Sequence, residues 1–388
     1  MSSKPLEIRL VQTPADRKAF VELPWKIYRD DPNWVPPLLS MAYEIIDTEK
    51  HPFYEFAHLA LFTAWRGDRM VGRIAAIDNP NHNAAHADRV GFFGFFEAEN
   101  DPEAAQALFD AAGDWLRARG KDAVRGPANP SVNDEYGLLV DGFDVPPVIL
   151  MPYNPPYYVD LIEAAGFEKA MDLLAWYVPT SFFGGTRADK IPKKLKRVVK
   201  AVKRRYGYTI RPLNMRNFDD EADRIKVVYR AAWEKNWGAV AMTDHEIDHL
   251  AAGLKQMADP DLVFIVEDRE GNVAGIAVTL PDLNQALLRA YPRPGVPELW
   301  TLLKLLWHWK VRSRVDGVRI LALGVLERYR STGVDALLMY EITRVGLSKG
   351  YKWGEMSWIL ETNDMMNRDI ELMGGRVYKT YRVYQKPL

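Results

Sequence analysis

The chain has 388 residues, with 51 Lys plus Arg against 52 Asp plus Glu, 48% hydrophobic residues and no cysteine. That length accommodates two domains with a core each, and the balanced charge gives no molecule-wide field to draw nucleic acid or a membrane, so any such partner must use a local patch. Without cysteine there are no disulfides, thiolate metal sites or cysteine nucleophile; MSSKPLEIRL lacks the apolar stretch of a signal peptide, and no apolar run reaches the roughly 18 residues that span a bilayer, so the cytoplasm is the expected location.

In chain order, the pattern predicts a short strand at EIRLV, helical segments, a proline-rich stretch at Pro36 and Pro37, and the alternating run HLALFTAW. Gly67 and Asp68 turn that run back into MVGRIAAID, a hairpin by pattern. The strand VGFFGFFEA, a helix from about Pro102 to Arg119, the strand AVRGP, an apolar helix and GFEKAMDLLAWYV complete the first half. The polar run GPANPSVNDEYGLLVDGFDVPP, with Asn129, Ser131, Asn133, Asp134 and Glu135, reads as a long ordered loop. It either carries function or is a structural insertion held by Asx turns.

RADKIPKKLKRVVKAVKRR follows, with ten basic residues against one acid. Ile191, Leu195, Val198 and Val202 recur at helical spacing, so an amphipathic basic helix is expected. Two readings stay open. The helix is a linker whose apolar stripe packs between domains, or 187–205 is a docking face for anionic lipid or an acidic acyl carrier protein.

The second half repeats the order of the first. It runs through YTIRPL, a helix carrying VVYRAAWEKNW, a helix near His245 to Met257, the hairpin LVFIVED/GNVAGIAVTL, the strand RILALGVLE, a helix, the strand GEMSWIL and a terminal GGRVYKTYRVYQK. This is an internal duplication of architecture. The expected fold is α/β, a mixed and mostly antiparallel sheet flanked by helices, in two tandem domains at 1–180 and 207–388 joined by the basic helix at 181–206.

The connection 282–318 is a long insertion. In it Thr301, Lys304, His308 and Arg312 form one narrow polar stripe, while Trp300, Leu303, Leu306, Trp307 and Val311 cover most of the rest. A helix this apolar is buried or lies in an interface. Burial against the first domain, an acyl-chain pocket and a membrane-surface element all fit the pattern.

The string GVLERYRSTGVDALL runs from a strand end through Arg330 and Gly333 into an apolar helix. Backbone N–H groups at a helix N-terminus bind anions, and glycine lets the main chain approach phosphate closely. The string resembles the Arg/Gln-x-x-Gly-x-Gly/Ala pyrophosphate loop of the GNAT (GCN5-related N-acetyltransferase) superfamily. WILETNDMMNRDIELMGGRVYKTYRVYQ is similar to that superfamily's closing strand, Asn, helix, Gly and last strand, and YNPPYYVDLIEAAGFEKAMDL, with Gly166 and Phe167, to the same helix and Gly-Phe pair in the first half.

The resemblance implies two tandem GNAT-like acyl-CoA N-acyltransferase domains. It implies that Arg330, Ser331, Thr332, Gly333, Val334 and Asp335 cradle the CoA pyrophosphate, that Val325 and Leu326 pair their backbone with pantetheine, and that Asn363 opens the final helix. Asp335 stands where the family has Gly or Ala, and would repel phosphate unless a cation intervenes. Ile370 stands where many members carry a tyrosine general acid. In the first half, Glu99, Asp101 and Glu103 make the corresponding helix start a poor anion site, so that domain is expected to shape the acceptor cleft.

Amine acylation needs a base for the attacking ammonium, an oxyanion donor and an acid for the sulfur. Glu361, Asp282 and Glu327 are the candidate bases, expected to converge on one cleft from their strand ends, and Tyr329 is the candidate acid. Glu234, Asn236, Trp237 and Asn284 are the candidate acceptor contacts. The expected reaction is direct transfer from an acyl thioester, of CoA or an acyl carrier protein, to an amine, with a long-chain donor and a lipid amine allowed by the apolar insertion. The thioester is a co-substrate; no permanent cofactor is expected, and no residue spacing asks for a metal. Two alternatives use the same features: a catalytically silent GNAT-like binding protein, and a peripheral protein of the inner membrane face.

Overall fold

The computed structural model describes residues 4–183, 191, 193–233 and 236–388. They form two compact units, and neither is a contiguous half of the chain. The first comprises residues up to Leu173, Leu287–Trp307 and Lys379–Leu388; the second comprises Leu174–Ala286 and His308–Tyr378. Boundaries at 180 and 207 therefore do not describe the units. A strand belongs where its backbone finds partners and its side chains find a core, whatever its place in the chain.

In the first unit an antiparallel meander runs through Leu6–Leu10, His58–Arg66, Arg69–Asp78 and Val90–Ala98. Gly67, at φ +63°, makes the turn between the second and third of these strands. Asp101 caps the next helix, Pro102–Arg117, by accepting the Ala104 N–H at 3.2 Å, with Pro102 in the first turn. That helix lets Ala123–Gly126 return parallel to Val90–Ala98. The chain's last strand completes the sheet: Tyr384–Pro387 pair with Ala123–Gly126, and Thr380–Arg382 with Leu138–Asp141. Phe93, Phe96, Leu108, Phe109, Leu116, Phe167 and Tyr384 share one core. Each such side chain contributes roughly 1.5–3 kcal/mol on full burial.

In the second unit Thr209–Pro212, Val263–Glu267, Val273–Pro281 and Gly317–Val325 pair antiparallel in that order. Gly317–Val325 then pairs in parallel with Trp353–Leu360 across the helix Val334–Ser348. Trp176 and Val178 enter its core with Phe264, Leu337, Leu338, Met356 and Ile370. The basic helix, Lys193–Tyr206, belongs to this unit. It buries Val199 and packs Leu195 and Val202 on that core, while Val198 is 41% exposed. The expected stripe therefore holds at Ile191, Leu195 and Val202, and Val199 takes the place expected of Val198. Of the expected docking face, residues 187–190 and 192 lie outside the described residues.

The insertion forms the helices Asn284–Ala290 and Glu298–Leu306, the latter continued by a π-turn at Trp307–Val311. Within the first unit, Ser40 donates its N–H and hydroxyl to the Glu298 carboxylate at 2.9 and 2.6 Å, and Trp25 Nε1 donates to the Pro292 carbonyl at 2.7 Å. Thr301 is buried. Leu299, Trp300, Leu303, Leu306 and Trp307 are 66, 62, 49, 48 and 49% exposed. The expectation that burial absorbs this apolar face is therefore corrected: polar anchors fix the helix, and its apolar side faces outward.

Candidate active site

In the second unit the parallel pairing of Gly317–Val325 with Trp353–Leu360 runs from Gly317↔Trp353 to Ile320↔Met356 and stops there. On its other flank Gly317–Val325 stays paired with Val273–Pro281 as far as Gly275↔Val325, through a bulge between Val278 and Thr279. The residues from Leu321 to Val325 therefore turn one backbone edge toward an opening between parted strands. Such an edge can receive an extended ligand as an added strand. Continued at the same register, Val325 stands level with Glu361 across the opening.

At the wide end the Leu326 N–H donates to the Ala274 carbonyl at 3.1 Å. A 3₁₀ turn, Glu327–Tyr329, follows, and the chain enters the 15-residue helix Val334–Ser348 through Ser331 at φ +62° and Gly333 at φ +89°. The Thr332 hydroxyl donates to the Tyr329 carbonyl at 2.6 Å and accepts from the Tyr208 hydroxyl at 3.0 Å, which pins the loop. No side chain caps the helix at Gly333. Its first-turn N–H groups, lacking intrahelical acceptors, therefore face outward at the positive end of the helix dipole. Glycine is needed at 333 for a second reason, since a Cβ there would lie 2.6 Å from Val202 Cγ2. The basic helix therefore covers the loop, and Arg197, Lys200, Arg204 and Arg205 are exposed along it. Asp335 is itself exposed.

The other expected residues fall in several places. Tyr329 donates its hydroxyl to Asp268 Oδ2 at 2.6 Å. Partial burial and that carboxylate raise the Tyr329 hydroxyl above its ordinary pKa, while the hydrogen bond holds Asp268 well below the carboxylate range. The proton of Tyr329 thus braces the hairpin turn at Asp268. Glu327 and Arg330 are exposed, and Glu361 is half-buried just past Leu360. Asn363 opens the final helix by accepting the Met366 N–H at 3.3 Å. Ile370 is buried in the core and offers no hydroxyl.

Asp282 and Asn284 are buried, but at the other end of the sheet. The Asp282 N–H donates to the Gly317 carbonyl at 2.9 Å, whereas Glu327 follows the far end of the same strand, about 26 Å away at strand rise. The expected convergence of these strand ends on one cleft is therefore corrected, because neighbouring antiparallel strands end at opposite edges. Asn236, exposed, accepts the Ala239 N–H at 3.1 Å through its carbonyl, and Trp237 beside it is half-buried. Glu234 lies outside the described residues.

A buried polar cluster that no motif in the sequence marks sits where the strands part. Arg319 Nε donates to Ser357 Oγ at 3.0 Å, and the Arg319 guanidinium also reaches the Ser357 carbonyl at 3.3 Å. The hydroxyls of Ser357 and Tyr378 both donate to the Glu355 carboxylate in short hydrogen bonds. Arg319, Glu355 and Ser357 are buried, as is Thr279 on the adjoining strand, whose hydroxyl has no partner among the described residues. The available signal was a charge inside each of two apolar strands, GVRILALGV and WGEMSWIL. A buried charge without a partner is very costly, so two of them predict each other.

The first unit shows the same parting of strands with its own chain inside it. Pairing of Val90–Ala98 with Ala123–Gly126 ends at Phe92↔Arg125. Asn129 Oδ1 then accepts the Phe95 N–H at 2.6 Å, and a Cβ on Gly94 would lie 1.7 Å from the Ala128 carbonyl oxygen. The helix start beyond is capped by Asp101, and Arg66 pairs with Asp101 and Glu103 at 2.7 Å each. The polar loop around Asn129 is thus a plug: where the strands of this unit part, the edge is filled by its own chain and the helix start at Asp101 is capped.

Similarity to known proteins matches this geometry. No family model matches the chain. A curated relative, the "Bacterial ceramide synthase" of Caulobacter vibrioides, is 37% identical over 99% of this chain and 98% of its own length; "Protein YghO" of Escherichia coli is 34% identical over 98% and 95%. Among solved structures, a tandem GNAT protein from the clavulanic acid biosynthesis pathway has a TM-score of 0.56 at 11% identity, covering 99% of this chain and 98% of that one. A GCN5-related N-acetyltransferase from Sphaerobacter thermophilus has a TM-score of 0.53 at 13% identity, covering 99% and 97%. The fold is that of the tandem GNAT proteins, and the chain belongs to the acyltransferase family of the bacterial ceramide synthase.

Proposed function

We propose that the chain transfers a fatty acyl group from a thioester to the primary amine of a long-chain lipid, forming a ceramide-type amide, in the second unit. The observation that carries this reading is the open strand edge at 321–325 leading to an uncapped helix start at Gly333. An extended pantetheine arm pairs along the edge that ends at Val325, the Leu326 N–H being held by the Ala274 carbonyl. Its phosphates meet the N–H groups of Ser331 and of Gly333 to Asp335, while those of Arg330 and Thr332 hold the loop by donating to the Glu327 and Tyr329 carbonyls at 3.1 and 3.3 Å. A ceramide is a fatty amide of a long-chain amino alcohol, so the full-length relative's name supports a lipid amine as acceptor. The exposed cations of the basic helix suit the phosphates of CoA and the acidic surface of a carrier protein equally.

The amine attacks the thioester carbonyl carbon, the C–N bond forms and the C–S bond breaks. Backbone N–H groups near the bulge at Leu321 stabilise the oxyanion. The ammonium releases one proton to solvent before attack, and the second, shed by the nitrogen as the amide forms, passes through the Tyr378 hydroxyl to Glu355 and on to the departing thiolate. Arg319 and Ser357 hold Glu355 in place. Glu361 and Glu327, at the mouth, attract the incoming ammonium.

The test incubates the purified chain with a long-chain amino alcohol and palmitoyl-CoA or palmitoyl-acyl carrier protein, following the amide by mass spectrometry and the released thiol colorimetrically. The expected result is stoichiometric amide and thiol from at least one donor, lost in Gly333→Trp. No amide from either donor sinks the reading.

A further inference from the structure

The helix Glu298–Leu306 and the turn after it present an unusual surface. Leu299, Trp300, Leu303, Leu306 and Trp307 are each about half exposed or more, while Thr301 takes the inward position. Five large apolar side chains on one short helix, at about 20–33 cal/mol per Å² of surface removed from water, favour association with an apolar phase. Among the described residues no helix is long and apolar enough to cross a membrane. The helix therefore lies on whatever it meets.

Charge selects the occupant. The 299–314 stretch contains no Asp or Glu, and Lys304, Lys310, Arg312 and Arg314 are exposed within it. The carboxylate at the helix start, Glu298, is engaged by Ser40. Tryptophans beside lysine and arginine suit the headgroup level of a bilayer, where the ring is buried and the cation meets phosphate. A second copy of this surface would bring like charges together.

We infer that the apolar face of Glu298–Trp307 docks the protein onto an anionic lipid bilayer, its leucines and tryptophans in the acyl boundary and its basic residues among the headgroups. The inference stands on exposure and charge. It deepens the proposed function, because a long-chain amine and its amide reside in that bilayer and need not cross water to reach the enzyme.

The test is flotation of the full chain with phosphatidylcholine vesicles, with and without phosphatidylglycerol, comparing the natural chain with Trp300→Glu/Leu303→Glu. Both positions are exposed, so the variant's thermal midpoint should be unchanged. The natural chain is expected to float with phosphatidylglycerol vesicles, and the variant's partition coefficient to fall by about tenfold or more. Equal flotation of both proteins, no flotation of either, or indifference to phosphatidylglycerol overturns the inference. So does a dimer in sedimentation velocity that the variant dissociates, since a second copy then covers the face. Acyl transfer in detergent micelles should survive in the variant. Loss of vesicle binding with micellar activity intact separates this inference from the reaction it serves.

Discussion

Single residues decide whether the open edge is an acyl-transfer site. At Gly333 the backbone is left-handed and Val202 lies against the position of a Cβ. Gly333→Ala should cost at least about 1 kcal/mol from conformation alone, and more from contact, read as a fall in thermal midpoint together with weakened acyl-CoA binding. Glu355→Gln should leave donor affinity unchanged in calorimetry and lower turnover by about 10²–10⁴-fold, with the dependence of kcat on pH flattened. Loss of donor binding instead would make the cluster a structural brace. In the first unit His82 is buried beside Asp88, His86 and Arg125, and burial lowers its pKa to about 4 from the ordinary 6.5. The unfolded chain then binds this proton at higher pH than the folded one. Stability from His82 is present above pH 6.5 and is lost as pH falls toward 4, by about 3 kcal/mol. His82→Gln should flatten the denaturation midpoint across that window.

Among the elements, the basic helix Lys193–Tyr206 has a role that its composition concealed. Its apolar stripe closes over the helix that begins at Gly333, and Arg197, Lys200, Arg204 and Arg205 are exposed along it. Val199→Ala should destabilise the second unit by about 1–2 kcal/mol in urea unfolding and weaken donor binding with it. Reversal of exposed cations, Lys200→Glu with Arg204→Glu, should leave the midpoint alone. It should weaken donor binding several-fold and reduce its dependence on salt. The amphipathic nature of this helix was legible from its spacing. Which valine faces inward was not, because Val198 and Val199 are adjacent and only the packing partner chooses between them.

For the whole molecule, the last ten residues complete the first unit. Lys379 is buried and donates to the carbonyls of Gly142 and Val145, while Tyr381, Val383 and Tyr384 enter the interior. Removing Lys379–Leu388 should therefore raise amide exchange throughout Ala123–Gly126 and Leu138–Asp141, although these lie more than two hundred residues earlier in the sequence. Unchanged protection there would mean that the strand is dispensable.

The sequence by itself determined the order of strands and helices, the duplication and the loop at Gly333, because hydrophobic period, turn residues and cap residues act over a few neighbours. The resemblance of that loop and of the closing segment to GNAT proteins fixed the fold. Tertiary structure decided the rest. Asp282 reads in sequence as a strand end like Glu361, yet antiparallel pairing carries it to the opposite edge. Arg319 and Glu355 each look misplaced in an apolar strand until register sets them side by side. The apolar insertion had to be buried or in an interface by composition alone, and only the anchors at Ser40 and Trp25 turned its leucines and tryptophans outward. Local propensity fixes what a segment is; long-range pairing and burial, which no short window of sequence contains, fix what it faces.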